Sequence, residues 1–203
     1  MFTENEIATL IEMPEILEAT QKIKADFIEK EVSMLDISDH DFLSLIMLTP
    51  PMGIALANGS ISLFEELGLN KMARQMSKGG YFLKVDPVVH AMKFALRSFE
   101  AWERRFLDMM ILCMDTTIDM QAVHQIKGSS VDDPAQAFAR DIMRVPYMFV
   151  RFLSCFILNE EADMVGVRSI SRVEFDKIVD IGHKLGIGDL HVFKSFCNTF
   201  QIK

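Results

Sequence analysis

From Asp86-Pro87 onward, Val88, Met92, Ala95, Phe99, Trp102, Phe106, Met109 and Cys113 follow one another at alternating spacings of four and three. A seven-residue apolar repeat sustained this long fits a helix and excludes a strand, whose side chains change face at every residue. Aspartate before proline supplies an N-cap and then a first-turn residue that needs no backbone N–H, so the start is marked as clearly as the face. Val89, Leu96 and Met110 widen the stripe. The pattern predicts one long central helix over about residues 86–115, contacted on more than one side as the spine of a bundle. A free-standing coiled coil is the alternative.

The flanking segments carry similar punctuation. Thr3 precedes Glu4-Asn5-Glu6, a hydroxyl cap with acids in the first turn, and Pro14 opens a second helix running to about Glu31. Ser38 caps a third, which Pro50-Pro51 stops while starting the next. Ser62 caps a helix closed by Gly79-Gly80. Beyond the central helix, residues 116–130 read as a connection with some helical character. Asp133-Pro134 starts a helix to about Asn159 that Pro146 should kink or divide. Ser171 caps a helix to Leu185, and a last helix ends near Gln201. No segment alternates long enough to argue for a sheet. The expectation is an all-α, single-domain helical bundle of about seven to nine helices, in which residues 1–36 form an N-terminal helical extension.

Composition narrows the partners. At 203 residues the chain can bury a core without disulfides or metals, and its 16 Phe and 15 Met suit a helical interior or an apolar ligand held between helices. A net charge of −8 with no basic run longer than Arg104-Arg105 gives no field for phosphate backbones, so nucleic acid is not expected. Lys184 to His191 has the look of a helix-turn-helix, but Lys194 alone supplies a strong cation to its second helix. Cys113, Cys155 and Cys197 are odd in number and widely spaced, each in an apolar stretch, and read as buried free thiols. The acidic start Met1-Phe-Thr-Glu-Asn-Glu is unlike a secretory leader, and Pro50-Pro51 interrupts the longest apolar stretch. A cytoplasmic protein with a protein partner is expected; peripheral membrane association and homo-oligomer formation stay open.

One short pattern repeats. Ile61-Ser62-Leu63-Phe64-Glu65 matches Ile170-Ser171-Arg172-Val173-Glu174, and Ile37-Ser38-Asp39-His40-Asp41 is a weaker third copy. Each reads as a capping box, in which serine accepts from an orphan N–H and the acid reaches back. In the wider context Ala57-Asn58-Gly59-Ser60-Ile61-Ser62-x-x-Glu65 lies in one half, with Ala162-Asp163, Ile170-Ser171-x-x-Glu174 and Leu185-Gly186-Ile187 in the other. This resembles the TerB-like family, all-helical proteins associated with tellurite resistance and stress, over about residues 38–200. The resemblance implies two related halves joined by the central helix, and a non-enzymatic, stress-associated interaction protein. No cofactor is expected; the resemblance leaves room for a divalent metal ion at Asn58, Glu65, Asp163, Ser171 and Glu174, but asparagine stands where the family has its first aspartate and residues are inserted before Ile170, which puts that capacity in doubt.

Asp163 to Glu174 is also similar to a degenerate EF-hand calcium loop. Val165 and Val167 supply no side-chain oxygen at the third and fifth positions, and Arg168 replaces the turn glycine, so calcium binding is expected to be weak or absent. Asp115 and Asp119, with His124 beyond, share a helix face and could offer ligands, as could Asp180 with His183. Paired acids at this spacing more often belong to a solvated face, and His90 and His191 sit at helix starts where capping is the plainer role. No catalytic set is written, which leaves a metal-dependent enzyme as the weakest of three readings.

Overall fold

The helix starts legible in the sequence are helix starts in the fold. The computed structural model describes residues 1–33, 35–79, 85–158 and 164–203. The first helices are α1 (Glu4–Ile11), α2 (Pro14–Glu31), α3 (Asp39–Met47), α4 (Thr49–Leu56) and α5 (Leu63–Met76). They are followed by α6 (Pro87–Arg97), α7 (Phe99–Thr117), α8 (Met120–His124), α9 (Pro134–Ile142) and α10 (Tyr147–Ser154). A short strand β1 (Arg168–Ile170) precedes α11 (Arg172–Lys184), α12 (His191–Cys197) and a second strand β2 (Phe200–Ile202). The chain is therefore predominantly α-helical, and among the described residues no helix is long and apolar enough to cross a membrane.

The heptad stripe is buried along its whole length, from Val88 to Cys113. The helix that carries it is divided. Ser98 leaves the helical region at φ −114° and ψ 27°, and its hydroxyl donates to the Phe94 carbonyl at 3.2 Å. Serine competes locally for helix carbonyls, so the stripe continues while the backbone breaks between α6 and α7. Residues 40–47 of α3 are all buried, and α1, α2, α6 and α7 pack around it. A helix covered on every side has no polar face to show, and α3 accordingly reads Phe42-Leu43-Ser44-Leu45-Ile46-Met47.

Pro146 separates α9 from α10, as the division expected there requires. The C-terminus departs from expectation. The last helix stops at Cys197, and residues 200–202 pair in parallel with 168–170, Arg168 opposite Phe200 and Ile170 opposite Ile202. Three-residue strands are too short for alternation to register in sequence. The pairing arises because α11 and α12 form the crossover that a parallel connection needs. Between these helices Gly186 takes φ +74°, and Ile187 N–H donates to Gly182 O at 2.9 Å, closing α11 with a left-handed cap. This is the Leu185-Gly186-Ile187 ending marked in the sequence.

Candidate functional site

Two of the three repeated turns form reciprocal capping boxes. Glu65 N–H donates to Ser62 Oγ at 3.3 Å while Ser62 N–H donates to Glu65 Oε2 at 2.7 Å. At the second turn Glu174 N–H donates to Ser171 Oγ at 3.3 Å and Ser171 N–H to Glu174 Oε2 at 2.8 Å. The third copy is different. Ser38 does cap α3, accepting from Asp41 N–H at 3.0 Å, but the Asp41 carboxylate turns inward to His40 and to Lys78 N–H.

The two turns touch through Asn58, ahead of the first box, and Ser171, the cap of the second, which lie 113 residues apart in sequence: Ser171 Oγ donates to Asn58 Oδ1 at 3.5 Å. Each helix they open leaves an apolar residue in solvent at the same position: Phe64 is 86 % exposed and Val173 52 %. Ser62→Ala and Ser171→Ala should each lower stability by about 1 kcal/mol, read by urea denaturation, because each strands one first-turn N–H. Losses near zero for both would show that the boxes contribute nothing.

Of the metal-ligand set that the resemblance allows, Asn58 touches Ser171, Glu174 is bonded to Ser171 and Glu65 to Ser62, and Asp163 lies outside the described residues. Glu65 and Glu174 each commit an oxygen to their own helix cap, and Asn58 brings no charge. The described members of the set do not by themselves fit a cation, which takes several convergent oxygens. Among the described residues no group of three or more His, Cys, Asp or Glu converges on a common point. Asp119 is the N-cap of α8, accepting from Ala122 N–H at 3.1 Å. Asp180 is engaged by Lys177 and Lys184 instead of His183. Arg168, at the sixth position of the loop compared with an EF-hand, holds its guanidinium over the Phe200 ring at 5.8 Å.

Beside the junction a cleft of about 760 Å³ opens between the end of α4, the Ser98 break and α11. Gly53, Leu56, Leu96 and Phe99 give it an apolar side. Gly53 lets α7 and α11 pack closely against α4, since a Cβ there would stand 3.1 Å from Phe99 Cζ, Ile181 Cδ1 and Lys177 Cε and each would have to yield a few tenths of an ångström. Four carboxylates, on Glu100, Glu103, Asp176 and Asp180, face two cations, on Arg97 and Lys177. Glu103 accepts from Lys177 Nζ at 2.6 Å and from Lys184 Nζ at 2.9 Å, and Asp180 lies 2.8 Å from Lys184. Burial opposes the charge on Asp180, but hydrogen bonds and the field of Lys184, joined by Lys177, hold its carboxyl below the ordinary range. Burial likewise opposes the Lys184 charge, and Asp180 and Glu103 overcome it, raising the ammonium pKa. This quartet was not assembled from the sequence. Lys177, Asp180 and Lys184 fall at helical spacings of three and four on α11, a usable signal, whereas Glu103 arrives from another helix.

The cysteines sit elsewhere and are buried, with burial pushing each thiol up to about 12. Thiolate is the reactive form. The native protein should therefore leave a chromogenic disulfide reagent almost untouched, while the unfolded chain releases three equivalents. Fast reaction of even one native thiol would contradict the burial described. Comparison of the chain with protein-family models, curated proteins and solved structures finds no match.

Proposed function

We propose that this chain is a non-enzymatic helical binding protein of TerB-like type, whose two capped turns and adjoining cleft form one docking face for a protein partner. The observation that carries the proposal is the Asn58–Ser171 contact, which brings the two matching turns to one place on the surface. Support comes from Leu63, Phe64 and Leu67 on α5, 72 %, 86 % and 59 % exposed, with Val173 on α11. Exposed apolar side chains that form a contiguous patch commonly mark an interaction surface, and Leu63, Phe64 and Leu67 follow one another on a single helix. Carboxylates along the cleft favour a polar-faced protein partner over a purely apolar ligand. The association with stress comes from the resemblance alone.

The test is photo-crosslinking in the native host, from a benzophenone amino acid placed at Val173 or, as control, at Gln136. Gln136 is exposed on α9, which contributes no residue to the cleft. A discrete crosslinked species from Val173 and none from Gln136 is expected. Equal yields from both positions, or no species from Val173, would remove the proposal. A species of twice the chain mass would identify a second copy as the partner.

A further inference from the structure

A second cavity, of about 390 Å³, lies at the far end of α7 from the cleft. Its walls are α1, through Glu6, Thr9, Leu10 and Met13, the last turn of α7, through Thr116 and Thr117, and Met148 of α10. We infer that this cavity binds a small aliphatic ammonium ion, at a site separate from the docking face. Every polar side chain on its walls can accept a hydrogen bond, and none has a proton to give. Thr9 Oγ1 donates to the Asn5 carbonyl at 2.9 Å, Thr116 Oγ1 to Leu112 at 2.8 Å and Thr117 Oγ1 to Cys113 at 2.6 Å. A hydroxyl has one proton, so each commits it to the carbonyl four residues back and keeps only lone pairs. Glu6 is an acceptor throughout: Thr3, Tyr147 and Arg151 use three of its roughly four lone-pair sites. Burial opposes the Glu6 charge, but hydrogen bonds from Tyr147, Thr3 and Arg151 hold its carboxyl below the ordinary range. The end of α7 adds the negative pole of a helix dipole.

The charge count agrees. Glu6, Glu12 and Asp115 stand at or directly beside lining residues in sequence, and no lysine or arginine does. Residues 1–21 and 106–126, which supply two of the three walls, contain no lysine or arginine at all. Arg151 reaches the site through its ion pair with Glu6, which leaves Glu12 and Asp115, both exposed, to draw a cation in. An anion would meet only acceptors here. A purely apolar ligand would displace water from the hydroxyls and the carboxylate and return no hydrogen bond. A primary ammonium group brings three donors to these acceptors. Its alkyl body lies against Leu10, Met13 and Met148, the two thioethers giving a polarisable, adaptable surface. The volume is at the small end for ligand pockets and suits an amine of roughly four to six carbons.

The test is an amide chemical-shift titration of the full chain with three probes of one chain length: n-pentylammonium, n-pentanol and pentanoate. Saturable shifts at residues 6–13, 116–118 and 148 are expected with pentylammonium. Pentanol should bind at least about tenfold more weakly, and pentanoate should leave these residues unmoved. The double substitution Thr9→Val/Thr116→Val keeps the shape of two exposed side chains and removes two acceptors, and should weaken pentylammonium binding about tenfold or more. Met148→Lys sets a cation inside the cavity and should abolish binding. Met143→Lys adds the same charge at an 84 % exposed position outside it and should leave affinity within about twofold. Unchanged thermal melting certifies the fold of each variant, and the threonine pair decides the matter should Met148→Lys fail to fold. Pentanol binding as tightly as pentylammonium, or shifts scattered over carboxylates elsewhere, would overturn the inference. So would equal losses in the two lysine variants, undiminished affinity in Thr9→Val/Thr116→Val, or no saturation by about 20 mM pentylammonium.

Discussion

Phe106→Ala is expected to lower the stability of the fold by about 3–5 kcal/mol, measured by urea denaturation. Phe106 is fully buried at the meeting of α2, α3 and α7. Its ring lies 5.7 Å from Trp102, 6.1 Å from Phe27 and 6.1 Å edge-on from Phe42. Phe27 in turn meets Trp102 at 5.0 Å, and the Trp102 indole N–H donates to Glu31 at 2.7 Å, fixing the ring that Phe106 packs on. Removing the phenyl group deletes both its transfer free energy and three aromatic contacts, and neighbouring rings are too rigid to refill the space. A loss below about 1 kcal/mol would mean that the heptad stripe does not form the centre of the core.

The second large effect concerns Asp41. This carboxylate is fully buried, accepts Lys78 N–H at 2.9 Å and faces His40 Nδ1 at 3.2 Å. The other ring nitrogen, Nε2, faces the Glu4 carbonyl at 3.1 Å. Both nitrogens address acceptors, so the ring satisfies both contacts only as the doubly protonated imidazolium. Burial opposes that charge, but the hydrogen bonds and field of Asp41 and the Glu4 carbonyl prevail, and the His40 pKa is raised above its ordinary 6.5. A raised folded-state value means that the pair stabilises fully below about pH 6.5 and that its contribution fades as pH rises through the folded value. Asp41→Ala should cost about 3 kcal/mol at mildly acidic pH, because it leaves a buried imidazole and a backbone N–H without their acceptor. His40→Gln should cost less and, like Asp41→Ala, flatten the pH dependence. The check is urea denaturation on either side of neutrality. A wild-type stability that rises from pH about 6 to about 8, through loss of a penalty at His40, would carry the wrong sign.

That His–Asp pair marks where the sequence was hardest to read. Ser38 and Asp41 have the spacing of a capping box, and serine does cap α3, but the end of α5 brings Lys78 N–H to the acid and diverts it inward. Local chemistry was legible because it depends on neighbours three residues away: Thr3, Ser62 and Ser171 each close a reciprocal box with the following glutamate. Pro14, Pro87 and Pro134 likewise stand in first turns. The Ser98 break was illegible since the apolar spacing runs through it undisturbed. The β1–β2 pairing and the arrival of Glu103 at the Lys177–Asp180–Lys184 row depend on elements distant in sequence, for which a single chain offers no local mark. For the candidate site, the two capping boxes at Ser62 and Ser171 were legible, whereas the Asn58–Ser171 contact and the cleft beside it, which depend on how distant helices pack, were not.

The proposed docking face rests on Asn58 of the first turn meeting Ser171 of the second, 113 residues away in sequence. Thiol crosslinking of the double variant Asn58→Cys/Ser171→Cys tests it most directly, read by peptide mass spectrometry of the folded protein after brief treatment with a short bifunctional thiol reagent. The three native cysteines, being buried, stay silent as an internal control. Rapid, near-complete linkage of positions 58 and 171 is the predicted result. Two freely alkylated, unlinked thiols at those positions in a folded protein would contradict the account.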